Sequence, residues 1–241
     1  QAIGGERVLI CVPLSARDER ELLEQAERAL ADSPDLVEWR ADGFSDVDTL
    51  SDTCAGLKRR LGEIPLLFTL RHYDEGGARR IPQEKRLHVI LEMIASGRIE
   101  LVDIELINGP EFIAAVREAA ERHGVKLILS YHNFTHTPPP EQMYAKLLEA
   151  AKNGADIAKL AVMPRNNQDV LNLLQVTDTA RNGLLDIPLI TASMGPLGMI
   201  SRMAGGQFGS AVIFAASAAK TAPGQLPAAL LKKIVNIIAE G

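Results

Sequence analysis

The sequence predicts a (β/α)8 barrel forming a single domain over residues 1–241, and three observations predict it. Short runs rich in branched and aromatic residues alternate with helical patterns, which implies parallel strands covered by helices. Eight such units in 241 residues match the size of that barrel. Five consecutive strand runs place apolar side chains on one face and ionisable ones on the other, as a barrel with chemistry in its interior requires. An open doubly wound sheet is the rival architecture. A half-solvated antiparallel sheet would share the two-faced strands but not the intervening helices.

The strand runs are, in order, "RVLICVPL" (7–14), "DLVEWRAD" (35–42), "PLLFTLR" (65–71), "LVDIEL" (101–106), "KLILSYH" (126–132), "IAKLAVM" (157–163), "PLITASM" (188–194) and "SAVIFAA" (210–216). Between the third and fourth, "PQEKRLHVILEMIASG" sets Leu87, Ile90, Leu91 and Ile94 at i, i+3, i+4 and i+7, with Pro82 placed to open the helix and Gly97 to close it. "GPEFIAAVREAAERHG" repeats the form from Pro110 to Gly124, and "QLPAALLKKIVNIIAEG" ends the chain as another helix. No linker, low-complexity stretch or charge run marks a second domain, and no residue-level repeat is visible.

Alternation along the strands puts Glu38 and Arg40 on one face of the second run, and Thr69 and Arg71 on one face of the third. Asp103 and Glu105, Ser130 and His132, and Lys159 occupy the matching face of the next three. In a barrel the greasy face meets the helices, so these groups point inward and toward the C-terminal mouth. The net charge of −5 and the lack of a basic stripe argue against nucleic acid as a partner. No apolar run approaches the ~20 residues of a membrane span, and no signal peptide is evident. Cys11 and Cys54 are the only cysteines, a usage that suits a reducing cytoplasm. Cys11, within an apolar strand, is expected to be a small buried hydrophobe.

Lys159 stands in "DIAKLAVMP" (156–164), an otherwise apolar run. Burying an isolated ammonium is costly, and nearby arginines disfavour the cation further, so the expectation is an uncharged amine. Such an amine attacks a ketone to form an imine, which acidifies the adjacent carbon. His132, on the same face of the neighbouring strand, is the natural base. Blander readings stay open for each group. Lys159 could simply pair with Glu38, Asp103 or Glu105, and His132 could be a satisfied interior histidine. His132 and His136 have a helical metal-ligand spacing, but a proline loop follows and no HExxH is present, so no metal site is expected. His72, His88 and His123 read as solvated. "DEGG" (74–77) reads as turn material that could cradle an anion, a weak signal.

Together these residues resemble type I 3-dehydroquinate dehydratase, the Schiff-base dehydroquinase family of the shikimate pathway. The resemblance runs through "EWRAD" (38–42), "FTLRHYDEGG" (68–77), "VDIEL" (102–106), "SYHNFTHTP" (130–138), "AKLAVMP" (158–164), "SMGPLGMISR" (193–202), "FGSAVIFAA" (208–216) and "TAPGQL" (221–226). It implies a (β/α)8 fold, a homodimer, no metal and no organic cofactor. It implies Lys159 as the imine lysine, His132 as the acid–base group and Glu75 as the residue that positions His132. It further implies substrate contacts at Glu38, Arg40, Arg71, Arg202 and Gln225, a hydroxyl at Thr221 where serine is frequent, and apolar contacts at Met194 and Phe214. Asp103 matches an interior acidic position with a supporting role. The implied reaction is dehydration of 3-dehydroquinate, with "KTAPGQLP" (220–227) as a covering loop. A Schiff-base aldolase on the same barrel, and a silent binding protein for shikimate-like acids, are the rival functions.

Overall fold

Residues 3–5, 7–216 and 226–240 are described by the computed structural model. All eight strand runs form strands: β1 (Leu9–Leu14), β2 (Leu36–Arg40), β3 (Leu66–Thr69), β4 (Leu101–Glu105), β5 (Lys126–Asn133), β6 (Ile157–Val162), β7 (Leu189–Ser193) and β8 (Val212–Phe214). They pair in parallel in the order β7-β6-β5-β4-β3-β2-β1-β8. The ring closes between β7 and β8 through a parallel bridge from Leu189 to Ser210, where Ala211 N–H donates to the Leu189 carbonyl at 2.7 Å. That closure excludes both the open doubly wound sheet and the antiparallel alternative.

The helices are α1 (Glu19–Ala31), α2 (Leu50–Leu61), α3 (Gln83–Ala95), α4 (Pro110–His123), α5 (Pro140–Lys152), α6 (Asn167–Thr179), α7 (Met199–Ala204) and α8 (Ala228–Glu240). Their starts follow capping chemistry. The Asp18 carboxylate accepts from Glu21 N–H ahead of α1, Asn166 accepts from Asp169 N–H ahead of α6, and proline opens α4 and α5. The buried stripe of α3 is rotated from the expected one: Arg86, Val89, Ile90, Met93 and Ile94 are buried, whereas Leu87 and Leu91 are only partly covered. A charged side chain on the core side of a helix reverses the usual reading of arginine as a solvated face.

Side chains divide into two apolar layers. Outward-facing Trp39, Phe68, Val102, Leu129 and Leu160 pack beneath the helices. Inside the barrel, Leu9, Leu36, Leu67, Leu101, Ile128 and Ile190 form a separate plug together with Cys11, which is fully buried as expected. The strands therefore carry apolar residues inward near their starts and ionisable residues inward near their ends. The barrel has a dry floor below a charged upper chamber. Among the described residues no helix is long and apolar enough to cross a membrane.

Trp39 anchors the outer layer: it is fully buried and meets Phe44 and Phe68 edge-on, each with ring centroids 5.7 Å apart. Trp39→Ala should therefore cost about 3–5 kcal/mol of stability, read from the denaturation midpoint at unchanged slope. A loss of less than about 1 kcal/mol would mean that this layer is not what holds the helices to the sheet.

Candidate active site

The register of β5 on β6 sets Ser130 beside Lys159 and His132 beside Ala161, so Lys159 and His132 project from adjacent strands on one face. Lys159 Nζ lies 2.7 Å from Asp103 Oδ2 and 4.5 Å from the centroid of the Phe214 ring. Asp103 Oδ1 accepts from Arg71 Nη1 at 2.8 Å and from the Ser130 hydroxyl at 2.7 Å. Arg71 Nη1 also donates to Glu105 Oε1 at 2.7 Å. Of the partners left open for Lys159, the structure sets Asp103 against it at ion-pair distance, and the arginine beside it is tied to two carboxylates. The strand pleat explains this, because it brings Asp103 and Lys159 to the same inner face. Burial alone would raise the Asp103 carboxyl, but Arg71 and Lys159 hold it well below the usual carboxylate range. Burial alone would weaken the Arg71 cation, but Asp103 and Glu105 raise its pKa well above normal.

Glu75 arrives from a short 3-10 turn, Tyr73–Glu75, just past β3. Its Oε2 accepts from the His132 backbone N–H at 2.8 Å and lies 2.9 Å from His132 Nδ1. The two glycines that follow make this turn possible. Gly76 has φ +88°, and a Cβ on Gly77 would sit 2.3 Å from the Arg71 carbonyl oxygen. "DEGG" is therefore a turn that delivers a carboxylate to the histidine. Burial and then the neighbouring Glu105 push the Glu75 carboxyl up to about 8. Burial, then Arg71 and Lys159, push His132 well below its ordinary value, so its imidazole is held neutral.

Every other described candidate except Asp103 joins Lys159, His132 and Glu75 around one cavity of about 110 Å³; Asp103 is fully buried behind it. Glu38 accepts from the Thr69 hydroxyl at 2.8 Å. Arg40 is clamped by both oxygens of Asp42, at 2.8 and 3.0 Å, and donates to the Gly76 carbonyl at 3.2 Å. Arg202, on α7, places Nη1 3.3 Å from the Phe214 carbonyl, and burial pulls its guanidinium down to about 10. Met194 and Phe214 supply apolar wall. Thr221, Gln225 and most of "KTAPGQLP" lie outside the described residues.

Sequence reasoning gave the buried Glu105 no task beyond a possible pairing with Lys159, assigned none to Asp42, and passed over Arg86. Inward alternation had placed Glu105 on the interior face, whereas Arg86 gave no signal, because it sits on a helix. His72 is only partly exposed rather than solvated, since its N–H is anchored to Glu105. His136 Nδ1 lies 3.0 Å from the Thr135 hydroxyl, and no metal-binding group of three or more His, Cys, Asp or Glu occurs among the described residues. A larger hollow, about 770 Å³, opens at the opposite end, among the strand starts around Leu36, Leu101 and Ile157. Barrel chemistry is built at the C-terminal ends of the strands, so the smaller cavity is the candidate site.

The chain is similar to known proteins over nearly its whole length. The model of the family described as "Type I 3-dehydroquinase" matches residues 10–241. The 3-dehydroquinate dehydratase of Geobacillus thermodenitrificans (strain NG80-2) is 46% identical over 241 residues, covering 98% of this chain and 93% of its own. The crystal structure of 3-dehydroquinate dehydratase from Geobacillus kaustophilus HTA426 superposes with a TM-score of 0.95 at 44% identity, covering 99% of this chain and 93% of that one. A type I 3-dehydroquinate dehydratase from Clostridium difficile, solved with covalent modified comenic acid, has a TM-score of 0.96 at 35% identity, covering 99% and 95%. On the family match and on identity across nearly the whole length, the chain belongs to the type I 3-dehydroquinase family.

Proposed function

We propose that this chain dehydrates 3-dehydroquinate to 3-dehydroshikimate through an imine on Lys159, with His132 as general acid and base and Glu75 as the group that orients it. One observation carries this reading: Lys159 and His132 rise from neighbouring strands into one cavity while Glu75 holds His132 Nδ1. The covalently modified ligand in the C. difficile relative is in keeping with a covalent route. Family membership sets aside the aldolase, which would share the lysine but cleave a carbon–carbon bond, and the silent binding protein.

The reaction begins with the Lys159–Asp103 pair. Asp103 is held firmly ionised and so takes no proton from the ammonium. Neutral His132 is the acceptor. When Glu75 is ionised, His132 Nδ1–H donates to it and Nε2 is left to accept. The freed amine attacks the C3 ketone, and the carbinolamine hydroxyl leaves as water with the proton that His132 had taken, which returns His132 to neutral and gives an iminium. That nitrogen again bears a positive charge beside Asp103, so the buried carboxylate is compensated before and after the bond forms. His132 removes a C2 proton, and the electron pair moves into the iminium to give an enamine. The enamine then expels the C1 hydroxyl, which leaves as water with the proton from His132. Hydrolysis of the conjugated imine releases product and restores Lys159.

Arg202 holds the substrate carboxylate, because a planar fork matches that anion and a bound anion offsets its desolvation. Glu38, Arg40 and Arg71, with Thr221 and Gln225, hold ring hydroxyls, and Met194 and Phe214 pack on the ring. The reading needs no metal or organic cofactor. It takes residues 1–241 as a single catalytic domain working as a homodimer in the cytoplasm, on the support of the family resemblance and the cysteine usage.

Borohydride added with substrate should fix a stable adduct on Lys159, and Lys159→Met should abolish it while leaving the fold intact. Peptide mapping decides, since an adduct on Lys126 or Lys146 would displace the assignment. Arg202→Ala should weaken binding most for ligands that keep the carboxylate; equal losses for carboxylate-free analogues would remove that role.

Glu75 gives a prediction with a definite sign. Its carboxyl lies above its ordinary value of 4.5 in the folded chain, at about 8. The native state thus holds this proton more tightly than the unfolded chain. The resulting stability is complete below the unfolded value and is lost as pH rises through about 8. Glu75→Gln removes that loss, so the melting temperature of the variant minus that of the parent should grow between about pH 5 and about pH 8. A difference independent of pH would show that the carboxyl is not raised.

A further inference from the structure

One fully buried charge lies outside the reaction scheme. Glu105, the last residue of β4, accepts from two sides at once. On the chamber side, Oε1 takes Arg71 Nη1 at 2.7 Å and the backbone N–H of His72 at 3.0 Å. On the helix side, Oε2 takes Arg86 Nη2 at 2.8 Å and Asn108 Nδ2 at 3.0 Å. Arg86 comes from α3, outside the barrel, and is 2% exposed. Its Nη2 also donates to the Leu70 carbonyl at 2.9 Å, Nη1 donates to Asn108 Oδ1, and its guanidinium lies 5.6 Å from the centroid of the Phe112 ring. Leu70, Arg71 and His72 are consecutive and lead directly into the turn that carries Glu75. The Arg86–Glu105 pair therefore grips this segment at three successive residues. Stability alone does not call for such a pair, since well-packed apolar side chains often serve a fold as well as a buried ion pair does.

We propose that Glu105, clamped by Arg86, is a positioning residue: it fixes Arg71 and the Glu75 turn relative to each other, so that a carboxylate out of reach of the substrate sets the geometry of the acid–base pair. The proposal rests on the roles given above to Glu75, His132 and Lys159. It has an electrostatic side as well as a mechanical one. Glu75 is faced by Arg71 from beyond β3, by Asp103 and Glu105 from β4, by His132 from β5 and, across the chamber, by Arg40 and Lys159. Within this group Glu105 favours protonation of Glu75, and Arg86 offsets Glu105. Removing either partner moves the balance, in opposite directions.

The test uses the full chain with Glu105→Gln and Arg86→Met. Borohydride trapping on Lys159 counts imine-competent sites, and kcat, KM and the pH profile are then taken per trapped site. Both variants should trap adduct, yet turn over more slowly per site, by up to about 10²-fold, as expected when reacting groups are misplaced by about an ångström. The rising limb of kcat/KM, which follows ionisation of Glu75, should move to lower pH in Glu105→Gln and to higher pH in Arg86→Met. Parent-like turnover per trapped site, or limbs that stay put or move together, would overturn the proposal and leave the pair a purely structural role. Should either variant fail to fold, Arg86→Lys keeps the charge but loses the fork. It should leave the limb in place and lower kcat per site, and parent-like kcat in it would equally overturn the proposal. Failure of the parent to trap adduct on Lys159 is a separate outcome, which would remove the mechanism on which this inference stands.

Discussion

The contact between Lys159 and Asp103 at 2.7 Å is the constraint around which the chamber is arranged. A carboxylate with no solvent exposure cannot remain ionised without partners, and a lysine set among apolar strands cannot remain an ammonium without one. Each satisfies the other, and Arg71 and Ser130 complete the coordination of Asp103. The proposed reaction respects this arrangement, because the nitrogen beside Asp103 is positive as ammonium and positive again as iminium. The neutral stages, amine and enamine, are the ones that leave Asp103 without its Lys159 partner, and there Arg71 continues to neutralise it. A barrel interior can host this chemistry because the charge that changes is always next to one that does not.

The rest of the fold serves that pair in layers. The interior plug from Leu9 to Val212 closes the lower barrel and keeps water from reaching the ions from below. Strand register then fixes where each inward group stands; Thr69 is level with Asp103, and Ser130 is level with both Glu105 and Lys159. Further inward groups come from segments past the strand ends. Glu75 comes from a turn, Arg202 from α7, and both are buried. A rigid lower scaffold and delivered upper groups are the usual division of labour in this architecture.

Much of this was legible in the sequence because strand side chains alternate with period two. Glu38, Arg71, Asp103, His132 and Lys159 fall on one face by counting alone, and the structure puts them in or beside one chamber. Counting failed where no period applies. Glu75 sits on a turn, and only the family resemblance singled it out. Arg86 sits on a helix whose apolar spacing suggested a stripe through Leu87 and Leu91, while packing against β3 and β4 turned Arg86 inward. The partner of Lys159 was left open in the sequence for a different reason. Burial and repulsion by arginine were weighed from sequence, but whether Asp103 or Arg71 lies nearer to an amine is a matter of ångströms. The pleat decides it in favour of Asp103.

Two groups in the chamber are held against the preference of their own charge. Burial and Glu105 raise Glu75 to about 8, and burial lowers Arg202 to about 10. In each case desolvation works against the ionised form that the proposed chemistry uses. Such placement costs stability in the empty enzyme, which is the common pattern for residues kept for function rather than for folding. In the proposed reaction that cost is recovered when substrate arrives: its carboxylate would replace the lost solvation of Arg202 with a charge-assisted fork, and proton traffic through His132 would draw on the ionised form of Glu75. The proposed chemistry thus couples binding and catalysis through the electrostatics of these two groups. On this view the Arg86–Glu105 pair belongs to the catalytic design as well as to the core, because it helps set how far Glu75 is displaced from an ordinary carboxylate.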